Sequence, residues 1–90
     1  MNDYPSDAEL EELKTANIFK VGFKGMVDLI NDSWNHDYGK LDFDGKSLKL
    51  ATGGWSGNED LICALQENIG FWSSFWIKTE RGGRFTFRED

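Results

Sequence analysis

Two glycine-bearing turn signals, each set beside short alternating runs, constrain this chain more than any other feature. Asp44-Gly45 separates a run in which Leu41 and Phe43 alternate with Lys40 and Asp42 from one in which Leu48 and Leu50 flank Lys49. Arg81-Gly82-Gly83-Arg84 stands before a further alternating pair, Phe85 and Phe87. Side chains alternate across a strand, and glycine accepts the positive φ of tight hairpin turns. The pattern predicts two hairpins, with strands over 38–43 and 47–52 and over 71–80 and 84–89. Leu41, Phe43, Leu48, Leu50, Phe75, Ile77, Phe85 and Phe87 are expected on one face. Trp72, Trp76, Lys78, Lys49, Thr86 and Arg88 are expected on the other. The spacing of Trp72 and Trp76 also suits a helix continuing from Leu65, but Gly70 interrupts it, and Phe, Trp, Ile and Thr favour strands.

Helical periodicity supplies the cover for such a sheet. Ser6 and Glu9 fit the S-x-x-E capping box, in which each side chain satisfies an exposed N–H at a helix start. A helix over 6–16 follows, and its narrow stripe of Leu10 and Leu13 implies weak docking. Phe19, Phe23, Met26, Val27, Ile30 and Trp34 then recur at helical spacing. Gly22 and Gly25 oppose that helix by about 1 kcal/mol each relative to Ala, and mark a late start or a close approach to the sheet. Ser56 and Glu59 repeat the capping-box spacing before a third helix reaching Asn68. Leu61, Ile62, Leu65 and Ile69 share one side of it, and Cys63 falls on the opposite, polar side. The order is ααββαββ: an α+β fold with a four-stranded, mostly antiparallel sheet and helices on one face. No linker or repeat divides the 90 residues, so 1–90 read as one domain.

The formal net charge is −6, which repels phosphate backbones and disfavours a general nucleic-acid binder. No apolar run approaches the roughly 18 residues of a membrane span. The single cysteine, Cys63, cannot make an internal disulfide, which favours a reducing compartment and a cytoplasmic location. Cys63 and His36 match no structural zinc spacing, so no metal is expected. His36 beside Asp37 reads as a solvated loop histidine. Gly54-Trp55-Ser56-Gly57 has part of a nucleophile elbow but Asn58 where the second glycine belongs. No cofactor is indicated, and the balance favours a non-enzymatic protein-binding module.

Two candidate sites remain. Gly53, Gly54, Trp55, Ser56, Gly57 and Asn58 form a glycine-rich loop entering a helix, where exposed N–H groups can hold an anion. The run is neither a P-loop nor a dinucleotide fingerprint. Following the chain from strand to helix to strand brings Arg81 and Arg84 to the same edge, so loop and turn together form a candidate phosphate, nucleotide or small-ligand site. Alternatively, Glu59 and Asp60 pair with those arginines and the cluster is structural. The second candidate is Trp72 and Trp76 beside basic residues on the helix-free face. It reads as a protein interface, a contact between copies of the chain, or a surface covered by the first helix. Base stacking is a further option, against which the net acidity weighs.

From Leu50 to Phe87 the sequence resembles a family of small uncharacterised proteins of phages, prophages and mobile elements. The resemblance rests on Thr52-Gly53-Gly54-Trp55-Ser56-Gly57-Asn58-Glu59, the Ala64-Leu65-Gln66-Glu67-Asn68 segment, Phe71-Trp72 with Trp76, and Arg81-Gly82-Gly83 leading to Phe85 and Phe87. Arg84 and Phe85 stand where the family is expected to have His-Tyr. The resemblance implies a phage or prophage setting and no particular reaction.

Overall fold

The computed structural model describes residues 4–89. Its elements are α1 (Asp7–Thr15), α2 (Ile18–Ser33), β1 (Lys40–Phe43), β2 (Ser47–Ala51), α3 (Ser56–Glu67), α4 (Ile69–Phe75), β3 (Trp76–Glu80) and β4 (Arg84–Arg88). The four strands pair antiparallel in the order β1-β2-β4-β3. Both expected hairpins form, and β2 and β4 join them at the centre. Leu48, Leu50 and Phe87 point from the central strands into one core with Phe23, Met26, Ile30, Leu61, Leu65 and Phe71. The helices therefore cover a single face of the sheet.

Local chemistry sets the helix ends. The Glu9 N–H donates to Ser6 Oγ at 3.1 Å and the Ser6 N–H to Glu9 Oε1 at 2.9 Å, completing the capping box of α1. The narrow apolar stripe of α1 does not hold it alone. Leu13 is buried, and the Asn68 amide donates to the carbonyls of Leu13 (2.8 Å) and Ala16 (3.0 Å). The Ser33 hydroxyl donates to Glu9 Oε2 at 2.8 Å and ties α1 to the end of α2. α1 thus lies against α3 and α2 rather than over the Trp72 and Trp76 rings.

Three expectations need correction. Residues 71–80 are not one strand, because α4 occupies Ile69–Phe75 and β3 begins at Trp76. The Asn68 side chain caps α4 by accepting the Phe71 N–H at 3.1 Å, and Phe71 is driven into the core against Phe87, ring centroids 5.1 Å apart. Burial of a large aromatic outweighs its strand propensity. Phe75 accordingly packs on Phe23 from a helix, while Ile77 is exposed beside an irregularity in the β3–β4 register. Phe19 does not share the core face of α2. Gly22 has φ +72 and ψ 174, so the first turn of α2 is out of phase with the rest, and Phe19 is 93% exposed.

Candidate functional site

The glycine loop is built around a close crossing of two chain segments. Gly53 has φ +66, and a Cβ there would fall on the Tyr38 carbonyl; one at Gly39 would fall on the Ala51 carbonyl oxygen. The Thr52 N–H donates to the Gly83 carbonyl at 3.0 Å, and the Trp55 N–H to the Thr52 carbonyl at 3.2 Å. Thr52 Oγ1 accepts the Gly54 N–H at 3.3 Å. Trp55 stacks on Tyr38 with ring centroids 4.5 Å apart and an interplanar angle of 19°, and meets Tyr4 at 4.7 Å. Gly57 lies beneath the indole, where a Cβ would approach Trp55 Nε1 to 2.6 Å.

Asn58 locks the crossing from inside. It is fully buried. Its Oδ1 accepts the Asn35 N–H at 2.9 Å, and its Nδ2 donates to the carbonyls of Asn35 (3.1 Å) and Thr52 (3.3 Å). Ser56 does not make the expected capping box with Glu59. Trp55 is the N-cap without a side-chain cap bond, and the Ser56 hydroxyl bonds Tyr4 Oη at 2.8 Å. The T-G-G-W-S-G-N run is thus occupied by tasks internal to the fold.

The loop and the 81–84 turn are brought together at their backbones, through Thr52 and Gly83. The Arg84 side chain is not part of that junction. Arg84 lies directly opposite Ala51 on one side and Glu80 on the other, in a row that faces away from the helices. The sheet therefore stands between the Arg84 guanidinium and the start of α3. Arg81 is exposed in the turn, and neither arginine forms an ion pair with Glu59 or Asp60 among the described residues.

Trp72 and Trp76 are not on the helix-free face. Trp72 belongs to α4 and is half-buried, edge-on to Phe87 at 5.3 Å and Phe85 at 6.1 Å. Trp76 pairs with Phe87 across β3–β4, which puts it on the core side, and its ring stacks on Trp72 at 6.2 Å. Its Nε1 donates to Thr79 Oγ1 at 2.9 Å. The four-residue spacing is that of the helix and its C-cap.

The helix-free face carries Lys40, Asp42, Ser47, Lys49, Ala51, Lys78, Glu80, Arg84, Thr86 and Arg88. A shallow hollow of about 260 Å³ there is lined in part by Lys40, Lys49, Glu80, Arg84 and Thr86. Five of the ten Lys and Arg lie on this face with only two of the sixteen Asp and Glu. Lys49, Lys78, Thr86 and Arg88 were legible there from alternation. Lys40 and Arg84 join them when charge is summed over the polar positions of all four strands, which is the signal that finds the full set. At the adjoining β1–β2 turn, the backbone N–H groups of Ser47 (2.8 Å) and Lys46 (3.0 Å) bond Asp44 Oδ1 and hold its carboxyl below the ordinary value of 3.8.

On the other side of the sheet, a cleft of about 230 Å³ between α3 and β4 is lined by Thr52, Glu59, Ile62, Cys63, Gln66, Gly83 and Phe85. Cys63 is exposed, as its position on the helical wheel implies. No helix among the described residues is long and apolar enough to cross a membrane. Comparison with known protein families, with curated proteins and with solved structures gives no match.

Proposed function

We propose that this chain is a small acidic accessory protein of the phage or prophage type that acts by binding another protein, without chemistry of its own. The observation that carries this reading is the two-sidedness of the sheet. Helices cover one face, and the other presents charged and small polar side chains across all four strands. Such a face spans about 15 Å between its edge strands. A broad, shallow surface suits a protein partner better than a small molecule, which takes a concave and mostly apolar site. The resemblance of residues 52–59 to small phage proteins supports the setting. Phosphate or small-ligand binding at the 53–59 loop and the 81–84 turn has less support, because the loop's side chains are engaged within the fold and Arg84 projects from the far side of the sheet.

A photoreactive residue at Thr86, in the middle of the open face, tests the reading in cells that carry the gene. It is expected to cross-link one protein species, and a probe at the exposed Ala8 of α1 is expected not to. Equal cross-linking from both positions, or none from Thr86, would overturn it.

A further inference from the structure

We infer that the open sheet face recognises an acidic protein segment, whose Asp and Glu carboxylates pair with a staggered band of five cations. This rests on the docking reading above and names the chemistry of the partner. Strand register puts Lys40, Ala51, Arg84 and Glu80 in one row across the sheet. Asp42, Lys49, Thr86 and Lys78 form the next, and Ser47 and Arg88 follow. Lys40, Lys49, Arg84 and Lys78 therefore zigzag from one edge to the other with Arg88 behind them. Diagonal neighbours on such a face are about 7–8 Å apart. The face's own carboxylates, Asp42 and Glu80, sit on the two edge strands at opposite corners of those two rows. Among the described residues, only Lys78 of the five cations is in an ion pair, with Glu80 at 3.7 Å.

Two simpler accounts of these cations fall short. Lysine on an edge strand guards against edge-to-edge aggregation, which explains Lys40 on β1 and Lys78 on β3. It does not explain Lys49, Arg84 and Arg88, which lie on the central strands β2 and β4. Nor does the face sample the average charge of the chain, since the remainder holds fourteen acidic residues against five cations. The same imbalance selects among polyanions. A nucleic-acid duplex carries about one charge per 1.7 Å and continues past the band and the edge-strand carboxylates of Asp42 and Glu80. A segment of about five extended residues, or three helical turns, spans the band and stops there. Screening over about 8 Å at physiological salt lets so short a segment respond to the band rather than to the net charge.

Amide NMR of the labelled chain, titrated separately with a short peptide alternating Glu and Ser, a short DNA duplex and inorganic phosphate, tests the inference. The peptide is expected to shift the amides of Lys49, Arg84 and Thr86 most. Lys49→Glu with Arg84→Glu is expected to weaken it about tenfold, with the core signals of Leu61 and Phe71 unchanged. Lys20→Glu with Lys24→Glu, an equal change of charge on α2, is expected to leave binding within about twofold. Stronger shifts of the same amides by duplex or phosphate, or peptide shifts that survive the double reversal on the face, would overturn the inference. So would concentration-dependent shifts of those amides without any additive, which would assign the face to a second copy. If the peptide fails while the Thr86 cross-link persists, the acidic chemistry is wrong and the docking face stands; if both fail, both readings fall.

Discussion

Asn58 meets three backbone groups from two loops, and only a carboxamide on a short side chain supplies that set at this reach. Its carbonyl oxygen takes one N–H and its amide nitrogen serves two carbonyls. Asn58→Ala orphans the Asn35 N–H and takes one of two donors from each carbonyl, since the Thr52 oxygen keeps the Trp55 N–H and the Asn35 oxygen keeps the Gly39 N–H. The loss of three bonds is expected to be about 2–4 kcal/mol by urea unfolding. Asn58→Asp keeps the shape but turns an acceptor toward two carbonyls. The introduced carboxyl is therefore held protonated in the folded protein, its pKa raised above the unfolded value. The folded state then binds more protons than the unfolded one, so this variant is expected to lose stability as pH rises through the unfolded carboxylate range toward its raised folded pKa. A variant whose stability is flat or rising over that window would show that the amide nitrogen is not needed as a donor. The special character of the Thr52–Glu59 run was legible in the sequence, but its task was not. Its partners, Asn35, Tyr38 and Gly83 among them, are remote along the chain, and an exposed-N–H site was the natural reading of glycines before a helix.

Elements whose determinants are local were the legible ones. The α1 capping box lies within four residues, and both hairpin turns are marked by their own glycines. α4 was not legible, because it depends on Asn68 as a cap and on Phe71 meeting Phe87 across the core. The phase of α2 failed for the opposite reason. Gly22 stands in plain view in the sequence, but a positive φ at one residue re-aims Phe19, and periodicity alone has no means to include it. The β1–β2 hairpin offers a test of its own turn chemistry. Asp44 accepts the N–H groups of Ser47 and Lys46 as a carboxylate, which depresses its pKa in the folded state. Its contribution is thus present above the unfolded pKa and is lost as pH falls through the lower folded value. Amide exchange at Ser47 is expected to accelerate, relative to its intrinsic rate, as pH drops through that window. Asp44→Asn is expected to flatten the dependence. Equal behaviour of the two proteins would mean that the turn is held by its backbone bond from Asp44 N–H to Ser47 O alone.

At the scale of the whole molecule, the chain is charge-segregated: a basic sheet face on an acidic body. A face kept for a partner holds side chains that the isolated fold does not require, so improving its internal pairing can preserve stability while removing function. Thr86 is the position to exploit, because it lies directly between Lys49 and Lys78 in one row. Thr86→Glu places a carboxylate beside both lysines, and each opposite-charge cross-strand pair contributes about 0.2–1 kcal/mol. Against this stands the lower strand propensity of Glu, on a scale that spans about 1 kcal/mol. The net expectation is stability held, or raised by up to about 1 kcal/mol, read as an unchanged or higher urea midpoint at constant slope. The same carboxylate occupies the centre of the cationic band, so affinity for an acidic peptide is expected to fall although all five cations remain. A merely solvated face predicts the first effect without the second. Loss of stability together with unaltered peptide binding would count against both the pairing geometry and the use of the face. A held or raised midpoint with weakened binding is the signature of a surface whose charges are arranged for something other than the chain itself.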